Sequence, residues 1–140
     1  MNLRSVVTHF PQRLATGAYV LHSGIEKWSG GPETAAYIHG AASGAFPFLK
    51  NIPPATFLKA LSVGEITTGA LLLLPFVPDR VAGAALTGFS GALVTMYLRT
   101  PEMHKPGSIW PSQGGTAVSK DVWMLGIGSG LVLESLVSDR

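Results

Sequence analysis

Four stretches of the chain are marked by how few ionisable side chains they contain. Between Ala60 and Val77 the only one is Glu65, and between Val81 and Leu98 there is none. Each run approaches the roughly 20 residues that a helix needs to cross about 30 Å of hydrocarbon. Val122 to Val137 is slightly shorter and carries Glu134 near its end. Phe10 to Trp28 is the weakest in hydropathy, since only Leu14 to Leu21 is free of ionisable groups. Its flanks strengthen it: Arg13 can snorkel at one end, and Glu26, Lys27 and Trp28 look like an interfacial boundary at the other. The pattern predicts an all-α fold, a four-helix transmembrane bundle running up and down. Its spans lie at about 10–28, 59–77, 81–99 and 120–137, in a single membrane domain over residues 1–140.

A signal peptide is the competing reading of the first segment, with Arg4 as its basic region and Leu14 to Leu21 as its apolar part. Pro11, Gln12 and Arg13 interrupt that pattern and no clean small-residue cleavage site follows, so the expectation is that the N-terminus is kept.

The joints constrain the arrangement. Pro75, Pro78, Asp79 and Arg80 form a very short link, which makes the second and third helices antiparallel neighbours. The other two connections, Ser29 to Ala55 and Thr100 to Ser119, are long, and both follow an odd-numbered span, which puts them on one side. Within the first, Glu33 to Ala45 is expected to form a short helix after the Gly30-Gly31-Pro32 turn, lying at the membrane interface or over the bundle. The second, rich in Pro and Gly and carrying Trp110, reads as a folded-back cover or strap. Lys and Arg counts (Arg4, Arg13, Arg80 and Arg140 against Lys27, Lys50, Lys59, Arg99, Lys105 and Lys120) lean towards long loops in the cytoplasm.

Helices in lipid gain little from apolarity alone, so small residues are expected where backbones approach. Gly83, Thr87, Gly91 and Thr95 repeat at four-residue spacing in the third span; Gly64 with Thr68 and Glu65 with Gly69 do so in the second, and Gly126 with Gly130 in the fourth. The GIGSG run around Gly128 lacks the strand and turn that a dinucleotide fingerprint requires, so it reads as helix packing.

Composition sharpens this picture. Charged residues make up only 13 % of the chain, against about 25 % in a soluble domain, so the few that fall within spans need explaining. The absence of cysteine excludes disulfide exchange, thiolate nucleophiles and Cys-ligated metal. The ten basic residues are scattered rather than clustered, which gives no nucleic-acid surface.

Topology then groups the isolated charges. Glu65 lies six residues beyond Lys59, about 9 Å further into the second helix, and His22 is about 6 Å inward of Glu26 on the first. Tyr97 and Arg99 close the third helix on the same side, and Lys120 and Asp121 open the fourth. His22, Glu26, Lys27, Glu65, Tyr97, Arg99, Lys120 and Asp121 therefore converge on one half of the bundle as a ligand or ion-pair pocket. At the other end Arg13 and Glu134 are positioned to pair. An acidic residue at a helix centre costs about 2.5–3.5 kcal/mol to insert, so Glu65 must be paired, protonated or hydrated. An ion pair that sets helix register and a binding site both satisfy that requirement.

Glu102 with His104, and His39, read as solvated loop residues rather than metal ligands, and His9 and His22 lie too far apart on one helix to share a haem. No P-loop, Gly-x-Ser-x-Gly elbow or zinc-protease helix occurs, so no autonomous catalytic motif is visible.

Arg13, Gly17 and HSGIEKW in the first span, GEITTGALLLL in the second and SKDVWMLGIGSGLVL opening the fourth resemble, in order and spacing, the DoxX family. The resemblance implies a small multi-pass protein of the bacterial cytoplasmic membrane. Some members of that family are subunits of redox complexes linked to sulfur compounds or quinones. It implies a membrane subunit that holds a soluble redox partner at the bilayer, with a quinone as possible ligand and no other cofactor evident. A stand-alone binder or carrier of a small hydrophobic molecule or lipid is the alternative from a different class.

Overall fold

The computed structural model describes residues 3–112, 116–119 and 121–138. Six α-helices and two short 3-10 helices make up its regular structure: α1 (Leu3–Trp28), α2 (Pro32–Ala45), α3 (Pro54–Leu73), α4 (Asp79–Arg99), the single turn α5 (Thr116–Ser119) and α6 (Asp121–Ser138). The apolar segments of the sequence are helical, with boundaries moved by proline. α1 starts well before residue 10 and continues through Pro11, whose missing N–H leaves the Val7 carbonyl without its helical donor. α3 begins at Pro54, where a proline N–H would be unpaired in any case. It stops at Leu73 because Pro75 pushes Leu74 into an extended conformation, φ −79° and ψ 113°. Pro101 ends α4 in the same way through an extended Thr100.

The long helices pack as two antiparallel pairs. α1 lies along α3, with Arg13 beside Leu72, Gly17 beside Gly69 and Gly24 beside Ile66. α4 lies along α6, with Gly83 beside Leu131 and Thr87 beside Gly128. The turn between Leu73 and Asp79 joins the pairs through α3 and α4, whereas α1 meets α6 only slightly. α2 covers one end of the bundle, packed on α3 and α4, and so lies over the helices as one of the two expected positions had it. The second long connection folds back onto the bundle: Met103 is buried, the Tyr97 hydroxyl donates to the Ile109 carbonyl at 2.6 Å, and His104 makes an isolated bridge with Pro111.

Close approach in both pairs depends on glycine, but not always on the glycines that simple spacing selects. A Cβ at Gly69 would sit 2.6 Å from the Leu21 backbone nitrogen, and one at Gly128 would sit 2.8 Å from that of Thr87. Gly17, Gly24 and Gly83 are similarly close to the opposing helix. Gly64, Gly126 and Gly130 meet nothing within 4 Å, which corrects the expectation for the Gly64–Thr68 stripe of the second helix and for the Gly126–Gly130 stripe of the fourth, whereas Gly69 of the second helix packs as expected. Period alone identifies a stripe of small residues, but the helix rotation decides which stripe faces a neighbour.

Burial is inverted relative to a soluble bundle. On α1, His9, Arg13, Thr16 and Val20 face inward, while Leu3, Val7, Phe10 and Leu14 are exposed. Trp123, Leu133, Leu136 and Val137 of α6 are exposed as well, whereas Ser62, Glu65 and Thr68 of α3 and Ser90 of α4 are buried. Among the described residues, α3 and α4 are long and apolar enough to cross a membrane.

Candidate functional site

Two buried polar clusters occupy opposite ends of the bundle. The first is built around Arg13. Pro75 has no N–H to offer the Leu71 carbonyl, so the last turn of α3 ends with an acceptor short of its helical donor, and the Leu74 carbonyl, bonded to the Val77 N–H at 3.1 Å, can take a second one. The Arg13 guanidinium supplies them, donating from Nη2 to Leu71 at 2.7 Å and to Leu74 at 3.1 Å. Its Nε donates to the Leu72 carbonyl at 3.0 Å, and Nη1 to the Val77 carbonyl at 2.8 Å and to Asp79 Oδ1 at 2.9 Å.

His9, one turn earlier on the same face of α1, lies between two carboxylates. Its Nδ1 is 2.6 Å from Asp79 Oδ2 and its Nε2 is 2.9 Å from Glu134 Oε2. Acceptors at both ring nitrogens select the doubly protonated imidazolium. Arg13 thus pairs with Asp79 rather than with Glu134, and Glu134 pairs with His9. The sequence reading missed His9 and Asp79 as members of this cluster. The available signal was the spacing of His9 and Arg13, which puts them on one helical face, and the position of Asp79 where α4 opens. Arg13 and His9 meet the carboxylates of Asp79 and Glu134 here, and these contacts tie α1 to the α3–α4 turn and to α6, so this end reads as structural.

The second cluster explains why Glu65 sits in an apolar helix. Its carboxylate, 3 % exposed, meets Lys27 Nζ at 2.8 Å, and the same ammonium reaches Ser23 Oγ at 2.7 Å. One turn before Glu65, the Ser62 hydroxyl donates to the Gly24 carbonyl at 2.6 Å and fixes the local register of α1 against α3. Lys27, Glu65 and Asp121 line a cavity of about 300 Å³ between α1, α2, α3, α4 and α6. Apart from Ser23 and the two tyrosines, its other walls are apolar: Val20, Leu61, Phe89, Leu93, Met96, Met103, Val118 and Met124, with Ile38 and Ala41 of α2 above. Tyr19 and Tyr37 line it and are themselves exposed, which marks where it opens.

Of the other residues expected in this pocket, those that are described go elsewhere. His22 and Glu26 pair with each other at 3.1 Å on the outer face of α1, their side chains 72 % and 69 % exposed. A helix turns about 100° per residue, so Glu26 points away when its neighbour Lys27 points in. Tyr97 is buried beside Met96 and Met103 but does not line the cavity, and its hydroxyl anchors the folded-back loop. Arg99 donates to the Ala45 carbonyl at 3.2 Å and lies over the Phe46 ring, closing the end of α2. Lys120 lies outside the described residues. His39, expected to be a solvated loop residue, is instead on α2, bonded through Nε2 to the Leu49 carbonyl at 2.8 Å and edge-on to Phe57. His104 likewise packs edge-on to Tyr97 with its Nδ1 buried. Among the described residues no group of three or more His, Asp or Glu side chains is placed to hold a metal ion.

No family model, curated protein or solved structure matches the chain.

Proposed function

We propose that this is a multi-pass protein of the bacterial cytoplasmic membrane that binds a small amphiphile within its helix bundle. α1, α3, α4 and α6 are its spans. The observation that carries the binding role is the cavity itself: apolar walls that suit a hydrophobic body, with the half-buried Lys27 paired to the buried Glu65, and Asp121, among its lining. That combination of apolar lining with a few convergent polar groups is the usual form of a small-molecule site. Intramembrane ionisable residues facing a cavity are a further mark of function.

The inverted burial supports the membrane. A buried core helix of a soluble protein hides most of its surface, whereas in the most apolar stretches of α3 and α4 only 33 % of the residues are buried. The exposed leucines, valines and tryptophans then face lipid rather than water. The DoxX resemblance supplies a setting for such a site, as a small membrane subunit of a redox complex with a quinone as the amphiphile. Lys27 uses two of its three N–H donors on Glu65 and Ser23 and retains one for a ligand.

Native mass spectrometry of the protein extracted from membranes in mild detergent tests this reading. The wild type is expected to carry a small lipophilic adduct. Ala41→Phe, which fills the cavity from α2, is expected to lose the adduct while keeping its helical content. An empty wild type, or equal loading of the variant, overturns the proposal. A soluble protein released with the wild type points to the redox-subunit setting, and an adduct without a protein partner points to a free-standing binder or carrier.

A further inference from the structure

The polar end of the cavity carries an imbalance that the opposite end of the molecule lacks. Around Arg13, two cations meet two carboxylates. In the cavity, Lys27 is the one cation among the described lining residues, and it is already bonded to Glu65. Asp121 is only 9 % exposed, opens α6 and faces the same space, yet no hydrogen bond or ion pair from the described residues reaches its carboxylate. It lies within electrostatic range of both Glu65 and Lys27. A buried carboxylate without a partner is costly, and an acidic residue in a first helical turn ordinarily gains from the helix dipole only part of what burial removes.

The geometry points to a ligand whose head group is cationic and donates hydrogen bonds to Asp121: a lipophilic amine, held by its alkyl or aryl body against the apolar walls. This rests on the reading of the cavity as an amphiphile site and names the class of its occupant. A protonated amine supplies the charge that Lys27 cannot and donates hydrogen bonds to the Asp121 oxygens, and Phe89 and Tyr37 add aromatic rings to the cavity lining, which attract a cation. A carboxylate head would add a third negative charge to the two already present, and an alcohol would offer one neutral donor.

The test is calorimetric titration of the detergent-solubilised full chain with octylamine, octanol, octanoate and a short-chain ubiquinone analogue. Octylamine is expected to bind saturably and about tenfold or more tighter than octanol, with octanoate weakest. Asp121→Asn is expected to remove that preference while leaving octanol binding in place, and Asp121→Glu to retain most of it. Octanol or the quinone binding as tightly as octylamine overturns the cationic-head inference and leaves the amphiphile site standing. Saturable binding of none of the four overturns both. The rank order in the wild type is decisive even where a variant fails to fold.

Discussion

Arg13→Gln is expected to lower stability by about 3–5 kcal/mol, the usual cost of removing one partner of a buried ion pair, here leaving Asp79 with His9 as its remaining cation among the described residues and the carbonyls from Leu71 onward short of donors, read as a drop in the thermal unfolding midpoint in detergent. The guanidinium makes five hydrogen bonds in one place, four of them to carbonyls at the end of α3 and one to Asp79. Proline contributes to this: Pro75 lacks the N–H that would have bonded the Leu71 carbonyl and ends α3, whereas the Leu74 carbonyl already accepts from the Val77 N–H at 3.1 Å and takes Arg13 as a second donor. A glutamine has one NH₂ on a shorter stem and serves at most two of these acceptors. Arg13→Lys is expected to recover less than half of the loss, because a point charge cannot reproduce the fork that spans Leu71, Leu74 and Asp79 together. An unchanged midpoint in Arg13→Gln would show that water or a neighbour takes over the α3 terminus and that the cluster does not hold the helices in place.

Gly69→Ala is expected to have the next largest effect. Its Cβ would press on the Leu21 backbone, with the nearest atom 2.6 Å away, and a backbone atom cannot rotate aside as a side chain can. α1 and α3 must then separate, at a cost of roughly 1–3 kcal/mol for overpacking. Separation also lengthens the Ser62–Gly24 and Lys27–Glu65 contacts one turn further along the same interface, so ligand binding in the cavity should weaken with stability. Gly64→Ala is the internal control. That position is open, so the added methyl should be neutral or raise stability by up to about 1 kcal/mol through helix propensity. Gly128→Ala and Gly126→Ala should repeat the contrast in the α4–α6 pair. Equal midpoints for Gly69→Ala and Gly64→Ala in thermal unfolding would mean that close helix approach contributes nothing here.

Much of the architecture was legible in the chain because its signals are local. Long apolar runs with few charges set the helices, prolines set where they stop, and the short link at Pro75 to Arg80 set the direction of α4 against α3. The buried state of Glu65 was legible for the same reason: a lone carboxylate in an apolar helix demands a partner wherever the helix goes. Helix rotation and pairing are not local, and they decided the rest. Lys27 and Glu26 are adjacent in sequence, yet one enters the cavity and the other faces outward, because about 100° of turn separates them. Gly128 rather than Gly126 meets α4, Asp79 rather than Glu134 takes Arg13, and Asp121 lines the cavity beside a carboxylate that already has its cation. Composition and period determined that this chain makes apolar helices with a few buried charges. Which of the described charges meet followed only from the azimuth at which four helices pack, a quantity set by close glycine contacts in both helix pairs.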